Sequence, residues 1–192
     1  LIDIKHRHFI VFKPFGFLSQ FKNNRTRKKR LLSELFDFPE NTMAIGRLDA
    51  DSEGLLFLTT DGKTSEFIRS NKIEKEYWVQ VDGLISDAAV NKLKFGVEIS
   101  IEGKSYITKP CEASKIETPK NLPQRQKPIR DERHGPTSWI AITITEGKFR
   151  QVRKMTAAVG FPTLRLIRYR IGNTTISNLN SGSTKEVENF DQ

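Results

Sequence analysis

Three stretches of the sequence gather side chains whose types and spacing could do chemistry. Gly46 to Gly54, reading Gly-Arg-Leu-Asp-Ala-Asp-Ser-Glu-Gly, sets Arg47, Asp49, Asp51 and Glu53 close together between apolar segments. On composition alone these are ordinary solvated turn residues. The alternative is that Arg47 and Asp49 sit together where the chain leaves a buried strand, because a carboxylate held there by a cation stays ionised and available as a nucleophile or base. The second stretch is Glu146 to Met155, Glu-Gly-Lys-Phe-Arg-Gln-Val-Arg-Lys-Met. On a helix, Arg150, Arg153, Lys154 and Ala157 share one face, and Phe149, Val152, Thr156 and Val159 share another. The apolar face belongs in the core. The basic face is either solvated or binds phosphates or a carboxylate. The third is Tyr77 in Lys75-Glu-Tyr-Trp-Val79, a strand tyrosine that either packs or offers its ring and hydroxyl to a ligand.

The elements that must position these residues follow from local pattern. His8 to Phe12 reads as a strand running into the turn Lys13-Pro-Phe-Gly16. Lys22 to Arg30 is a basic loop whose cations at 22, 25, 27, 28, 29 and 30 are too dense to bury, and Leu31 to Phe36 is a short helix closed by Pro39. Ile45 to Leu48 and Gly54 to Thr60 are apolar segments flanking the Asp49 turn, and Thr64 to Arg69 is a short helix. Glu76 to Val81 alternates, with Tyr77, Val79 and Val81 on one face. Ser86 caps a helix through Lys94 that Gly96 stops. Val97 to Glu117 suits short strands. Thr118 to Pro136, with prolines at 119, 123, 128 and 136, is a loop. Ser138 to Thr145 is a strand, Lys148 to Val159 a helix ended by Gly160 and Pro162, and Leu164 to Ile171 a strand. Strands and helices interleave with hairpin-type turns, which predicts an α+β fold with a mixed sheet.

Composition narrows the partner. The 192 residues are 36% hydrophobic and 29% charged, enough for a sizeable core and unlike a disordered chain. With 32 Lys and Arg against 23 Asp and Glu, the net charge is +9 and an anionic partner is expected. Nucleic acid ranks ahead of membrane, because runs of strong hydrophobes such as Leu55 to Leu58 reach only four residues and no basic amphipathic helix accompanies the charge. Cys111 stands alone, which excludes an internal disulfide and fits a reducing, cytoplasmic compartment. His6, His8 and His134 with that thiol make no zinc pattern, and no phosphate-binding or dinucleotide glycine motif occurs, so no metal and no cofactor is expected. No signal peptide is seen.

Four blocks carry a resemblance beyond these generalities: KPFGFLSQF (13–21), GRLDADSEGLLFLTTDG (46–62), KEYWVQVDG (75–83) and PTSWIAITITEGKFRQVRKMTAAVGFPTLRLIRYRIG (136–172). In this order and spacing they resemble the bacterial ribosomal pseudouridine synthases, specifically the RsuA-like family and its E-type large-subunit members. The match runs from about residue 8 to residue 188. The resemblance implies a pseudouridine synthase fold, α+β, with a mixed and largely antiparallel sheet flanked by helices around a central RNA-binding cleft. It implies one catalytic domain over residues 1–192, without the separate N-terminal RNA-binding module that many relatives carry.

It also assigns roles. The aspartate of the G-R-L-D block is Asp49, the family's catalytic carboxylate. The tyrosine of the K-x-Y strand is Tyr77, which stacks on the target base, and the basic residue of the Q-V-R block is Arg153, which pairs with the aspartate. Arg47, Lys13 and Arg150 are expected to bind substrate, and Phe15 stands where the K-P block often has tyrosine. The implied partner is ribosomal RNA, 23S above all, or a ribosomal assembly intermediate, met by a monomer without metal or membrane. Pseudouridylation is redox-neutral and needs no energy input, in keeping with the missing nucleotide motifs. A non-catalytic RNA-binding or ribosomal protein explains the charge equally well but not the co-occurrence of the blocks. A metal-dependent nuclease using Asp49, Asp51 and Glu53 would need those residues on a strand, whereas they fall in a turn.

Overall fold

The computed structural model describes residues 5–22, 29–70, 73–125, 127–129 and 132–191. In chain order its first elements are β1 (His8–Lys13), β2 (Phe17–Leu18), β3 (Arg30–Leu31), β4 (Met43–Ile45), β5 (Glu53–Thr59) and α1 (Gly62–Ser70). There follow β6 (Lys75–Asp82), α2 (Asp87–Phe95), β7 (Glu98–Ile101), β8 (Lys104–Ile107), β9 (Glu112–Ile116) and β10 (Thr137–Ile144). The last are α3 (Gln151–Ala158), β11 (Thr163–Ile171), β12 (Thr174–Thr175) and β13 (Thr184–Val187). This is the expected α+β composition, mostly antiparallel, with β2 and β3 paired in parallel. The chain divides into two compact units, Leu1–Ile73 with Tyr169–Gln192, and Glu74–Arg168.

In the first unit the strand order is β13-β1-β5, with β4 also on β5. The register sets Phe9 opposite Leu58 and Val11 opposite Leu56. These four, with Leu32, form a buried cluster that Phe21, Leu35, Phe38 and Ala44 cover. Ile10, Phe12, Leu55 and Phe57, on the opposite face of the same strands, are buried as well. Both faces of β5 are therefore covered, which explains why its sequence reads as a continuous apolar run rather than an alternation. Asp61 starts α1 by accepting from the Lys63 and Thr64 backbone N–H groups at 3.0 and 3.2 Å and from the Thr64 hydroxyl.

In the second unit the order is β11-β6-β10-β9. Along β6 the residues Tyr77, Val79 and Val81 are buried in alternation, as the pattern predicts, facing Ile142, Ile140 and Ser138 of β10 across the register. Ser86 caps α2, its hydroxyl accepting from the Ala89 N–H at 3.2 Å. Gly96 ends that helix at φ +100°, and a Cβ there would lie 2.3 Å from the Thr108 carbonyl oxygen. Glycine is thus required twice over, by conformation and by space.

The structure corrects the boundaries at several points. The helix expected from Leu31 is a single 3-10 turn, Leu32–Glu34, because the Glu34 carboxylate turns back to accept from the Leu31 N–H at 2.7 Å. The helix expected from Lys148 begins at Gln151. Strands β12 and β13 lie beyond the last strand read from the sequence. In the basic loop Lys22, Lys29 and Arg30 are exposed, while Arg25, Arg27 and Lys28 lie outside the described residues.

Candidate active site

Asp49 stands in the loop between β4 and β5, and the chain around it is fastened on both sides. Gly46 leaves β4 at φ +74°, a left-handed turn that glycine adopts without strain. Arg47 then points to solvent and Leu48 is buried. The hydroxyl of Ser19, itself buried, donates to the Leu48 carbonyl at 2.8 Å and accepts from the Leu48 N–H at 2.9 Å. On the other side of Asp49 the Gly16 N–H donates to the Ala50 carbonyl at 2.7 Å, and the Ser52 N–H closes a turn on the Asp49 carbonyl at 3.0 Å. Asp49 is half-buried between these fastenings. Lys13, expected to touch substrate, is fully buried and donates its ammonium to the carbonyls of Pro14 at 3.0 Å and Phe17 at 2.7 Å. It supports the very turn that presents Gly16 and Ser19. The K-P-F-G-F-L-S block and the G-R-L-D block are thus one local construction, and Ser19 and Gly16 are members whose role was not legible before folding.

In the second unit Tyr77 lies on the buried face of β6 and keeps 8% of its surface exposed. Lys75, two residues earlier on that face, has its ammonium disfavoured, chiefly by burial and then by the neighbouring Arg168 guanidinium. Arg150 and Arg153 flank the start of α3. Arg150 adopts φ 52°, ψ 33°, a left-handed conformation uncommon outside glycine. The turn before it is tied in both directions: the Lys148 N–H donates to the Gln151 side-chain oxygen at 2.9 Å and the Gln151 N–H donates to the Lys148 carbonyl at 3.1 Å. Glu146 anchors this turn by accepting from the Tyr106 hydroxyl, the Gln151 side-chain amide and, at 3.0 Å, the Lys109 N–H. Burial alone would raise the Glu146 carboxyl, but these donors outweigh it and hold it below the ordinary carboxylate range.

The early start expected for α3 had placed Phe149 in the core. With the turn held as described, Phe149 is instead 65% exposed, while Gln151, Val152, Met155 and Thr156 form the buried face. Arg153 is half-buried. Neither Glu146 nor Gln151 was singled out as functional, although both stand in the quoted block, where their carboxylate-to-amide pairing across five positions was the available signal. Of the expected residues, then, Asp49, Arg47 and Lys13 belong to the first unit, and Tyr77, Arg150 and Arg153 to the second. Among the described residues no group of three or more His, Cys, Asp or Glu side chains could hold a metal ion. Burial first, then Glu146 and Glu112, push the Cys111 thiol up to about 11, which disfavours its thiolate.

The family model described as RNA pseudouridylate synthase matches residues 7–158. The chain is 42% identical to ribosomal large subunit pseudouridine synthase E of Vibrio parahaemolyticus, over 97% of this chain and 76% of that protein. It is likewise 42% identical to the protein of that name from Xanthomonas campestris, over 90% and 91% of the two chains. A crystal structure of a pseudouridylate synthase superposes with a TM-score of 0.73 at 25% identity, over 95% of this chain and 70% of that one. The chain belongs to the RNA pseudouridine synthases, isomerases that turn uridine into pseudouridine.

Proposed function

We propose that the protein converts a uridine of large-subunit ribosomal RNA to pseudouridine, acting as a monomer in the cytoplasm, with Asp49 as the catalytic carboxylate. The substrate class is supported by the 42% identity to large-subunit synthases from two genera, extending over most of each chain. The role of Asp49 is carried by one observation: both its neighbours are fixed to the segment that follows β1, Ala50 to Gly16 before β2 and Leu48 to Ser19 just after it. A residue held this way approaches its target without the entropy cost of ordering a loop.

In the reaction the bond from ribose C1′ to base N1 breaks, the uracil turns, and C1′ bonds to C5; C5 then loses its proton and N1 gains one. Atoms and electrons balance without a cofactor. Asp49 can attack the sugar carbon, add to the base or assist elimination to a glycal. Arg153 is proposed as its cationic partner. Extracting the uridine from stacked RNA costs a few kcal/mol, and Tyr77 is proposed to receive the base. Arg47 and Arg150 are proposed to contact phosphates.

The test measures tritium released from C5-labelled uridine in large-subunit ribosomal RNA. Wild-type protein should release label and form pseudouridine. Asp49→Asn should release none while binding the RNA with near wild-type affinity. Turnover of Asp49→Asn within tenfold of wild type contradicts the assignment.

A further inference from the structure

The turn that precedes α3 presents an aromatic ring to solvent from a rigid frame. Phe149 is 65% exposed, yet the backbone on either side of it is tied by hydrogen bonds. The two bonds between Lys148 and Gln151 close the turn around it, and Glu146 anchors the Gln151 side chain. Arg150, next in sequence, holds a left-handed conformation at φ 52°. A flexible loop could tuck the phenyl ring into the core, but this one holds it outward.

The surroundings say what the ring is for. The Lys154 ammonium stands 5.3 Å from the centre of the Phe149 ring and is tethered to the Ser100 carbonyl of β7 at 2.7 Å. Lys148 is exposed and stands 5.2 Å from the centre of the Tyr106 ring on β8. Lys104 and Lys109, at the start of β8 and just after it, are exposed as well. Glu146, two residues before Lys148, is taken up by its three donors. An exposed aromatic among cations, in a chain of net charge +9, is complementary to a π-faced polyanion.

We infer that Phe149, with Lys148 and Lys154, forms a stacking platform for an unpaired base of the substrate RNA outside the reacting uridine. The ring takes a base face, and the two lysines take the phosphates that flank it. This inference rests on RNA being the substrate, but not on which residue performs the chemistry.

Binding of large-subunit ribosomal RNA transcript and of a 20-nucleotide oligouridylate tests it, with thermal unfolding of each variant as the check on folding. Because the ring is exposed, the variants should melt with wild-type protein. Phe149→Trp and Phe149→Tyr should bind within about twofold of wild type. Phe149→Ala and Phe149→Leu should weaken binding about 5- to 100-fold, the loss of one stacked base. A 4-thiouridine-labelled transcript should crosslink to position 149. Equal binding by Phe149→Ala and wild type overturns the inference, and so does full retention in Phe149→Leu, which would mean plain apolar contact. Loss of binding to ribosomal particles with unchanged binding to bare RNA would make the partner a protein, and would also overturn it. Binding is read without turnover, so an inactive wild-type preparation would count against the proposed function and leave this result legible.

Discussion

Ser19 is the residue on which the reading of Asp49 can be tried without touching the carboxylate. Its hydroxyl serves both the N–H and the C=O of buried Leu48. Ser19→Ala leaves two buried backbone groups without that partner and should cost about 1–3 kcal/mol of stability. The expected kinetic result is turnover lowered about 10- to 100-fold with RNA affinity unchanged, since a small displacement of a reacting group is costly. Wild-type single-turnover rates in a folded Ser19→Ala protein would show that Asp49 needs no brace. Tyr77 separates two roles in the same way. Its ring lies in the buried row of β6 with little surface left to meet a base. If the ring is only a platform, Tyr77→Phe retains most activity and Tyr77→Ala loses roughly 1–3 kcal/mol of stacking. If the hydroxyl also removes the C5 proton, Tyr77→Phe binds and begins the reaction but stalls before product. We expect the combined role, and a wild-type rate for Tyr77→Phe in single-turnover assays would eliminate the proton transfer.

At the scale of elements, the start of α3 is set by Glu146 rather than by helix propensity, and this makes it sensitive to acid. The folded Glu146 carboxyl titrates below its ordinary value of 4.5. Its contribution is therefore fully present above that value and is lost as pH falls through the lower folded one. Wild-type protein should lose stability below about pH 4.5, and Glu146→Gln should flatten that dependence while costing about 1 kcal/mol at neutral pH. An acid profile identical in the two proteins would show that Glu146 does not hold the turn. The same region marks where sequence patterning succeeds and where it stops. Ser86 and Gly96 bound α2 as read, because caps and stops are chemistry of neighbours in sequence. Phe149 was misplaced because helical spacing was extended three residues too early, over a turn that side chains of Glu146 and Gln151 close. Strand β13 was missed since its residues Thr184–Val187 carry no alternation of their own; pairing with β1, 179 residues from Val187 back to His8, makes it a strand.

For the whole molecule, the net charge of +9 and the family blocks were readable from sequence, and they were sufficient for the fold class and the reaction. The supports of the reacting residue were not, because they join positions such as Ser19 and Leu48, 29 residues apart, whose meaning appears only when the end of β2 meets the loop before β5. Association with RNA by so basic a chain should weaken steeply with salt, as phosphate contacts release counterions. Among the described residues no helix is long and apolar enough to cross a membrane. Pseudouridine formation in large-subunit ribosomal RNA through Asp49 is tested by a map of pseudouridines in that RNA from cells lacking the gene, complemented with wild-type protein or with Asp49→Asn. One pseudouridine should disappear on deletion, return with the wild-type gene and stay absent with Asp49→Asn. An unchanged map on deletion, or restoration by Asp49→Asn, would contradict this assignment.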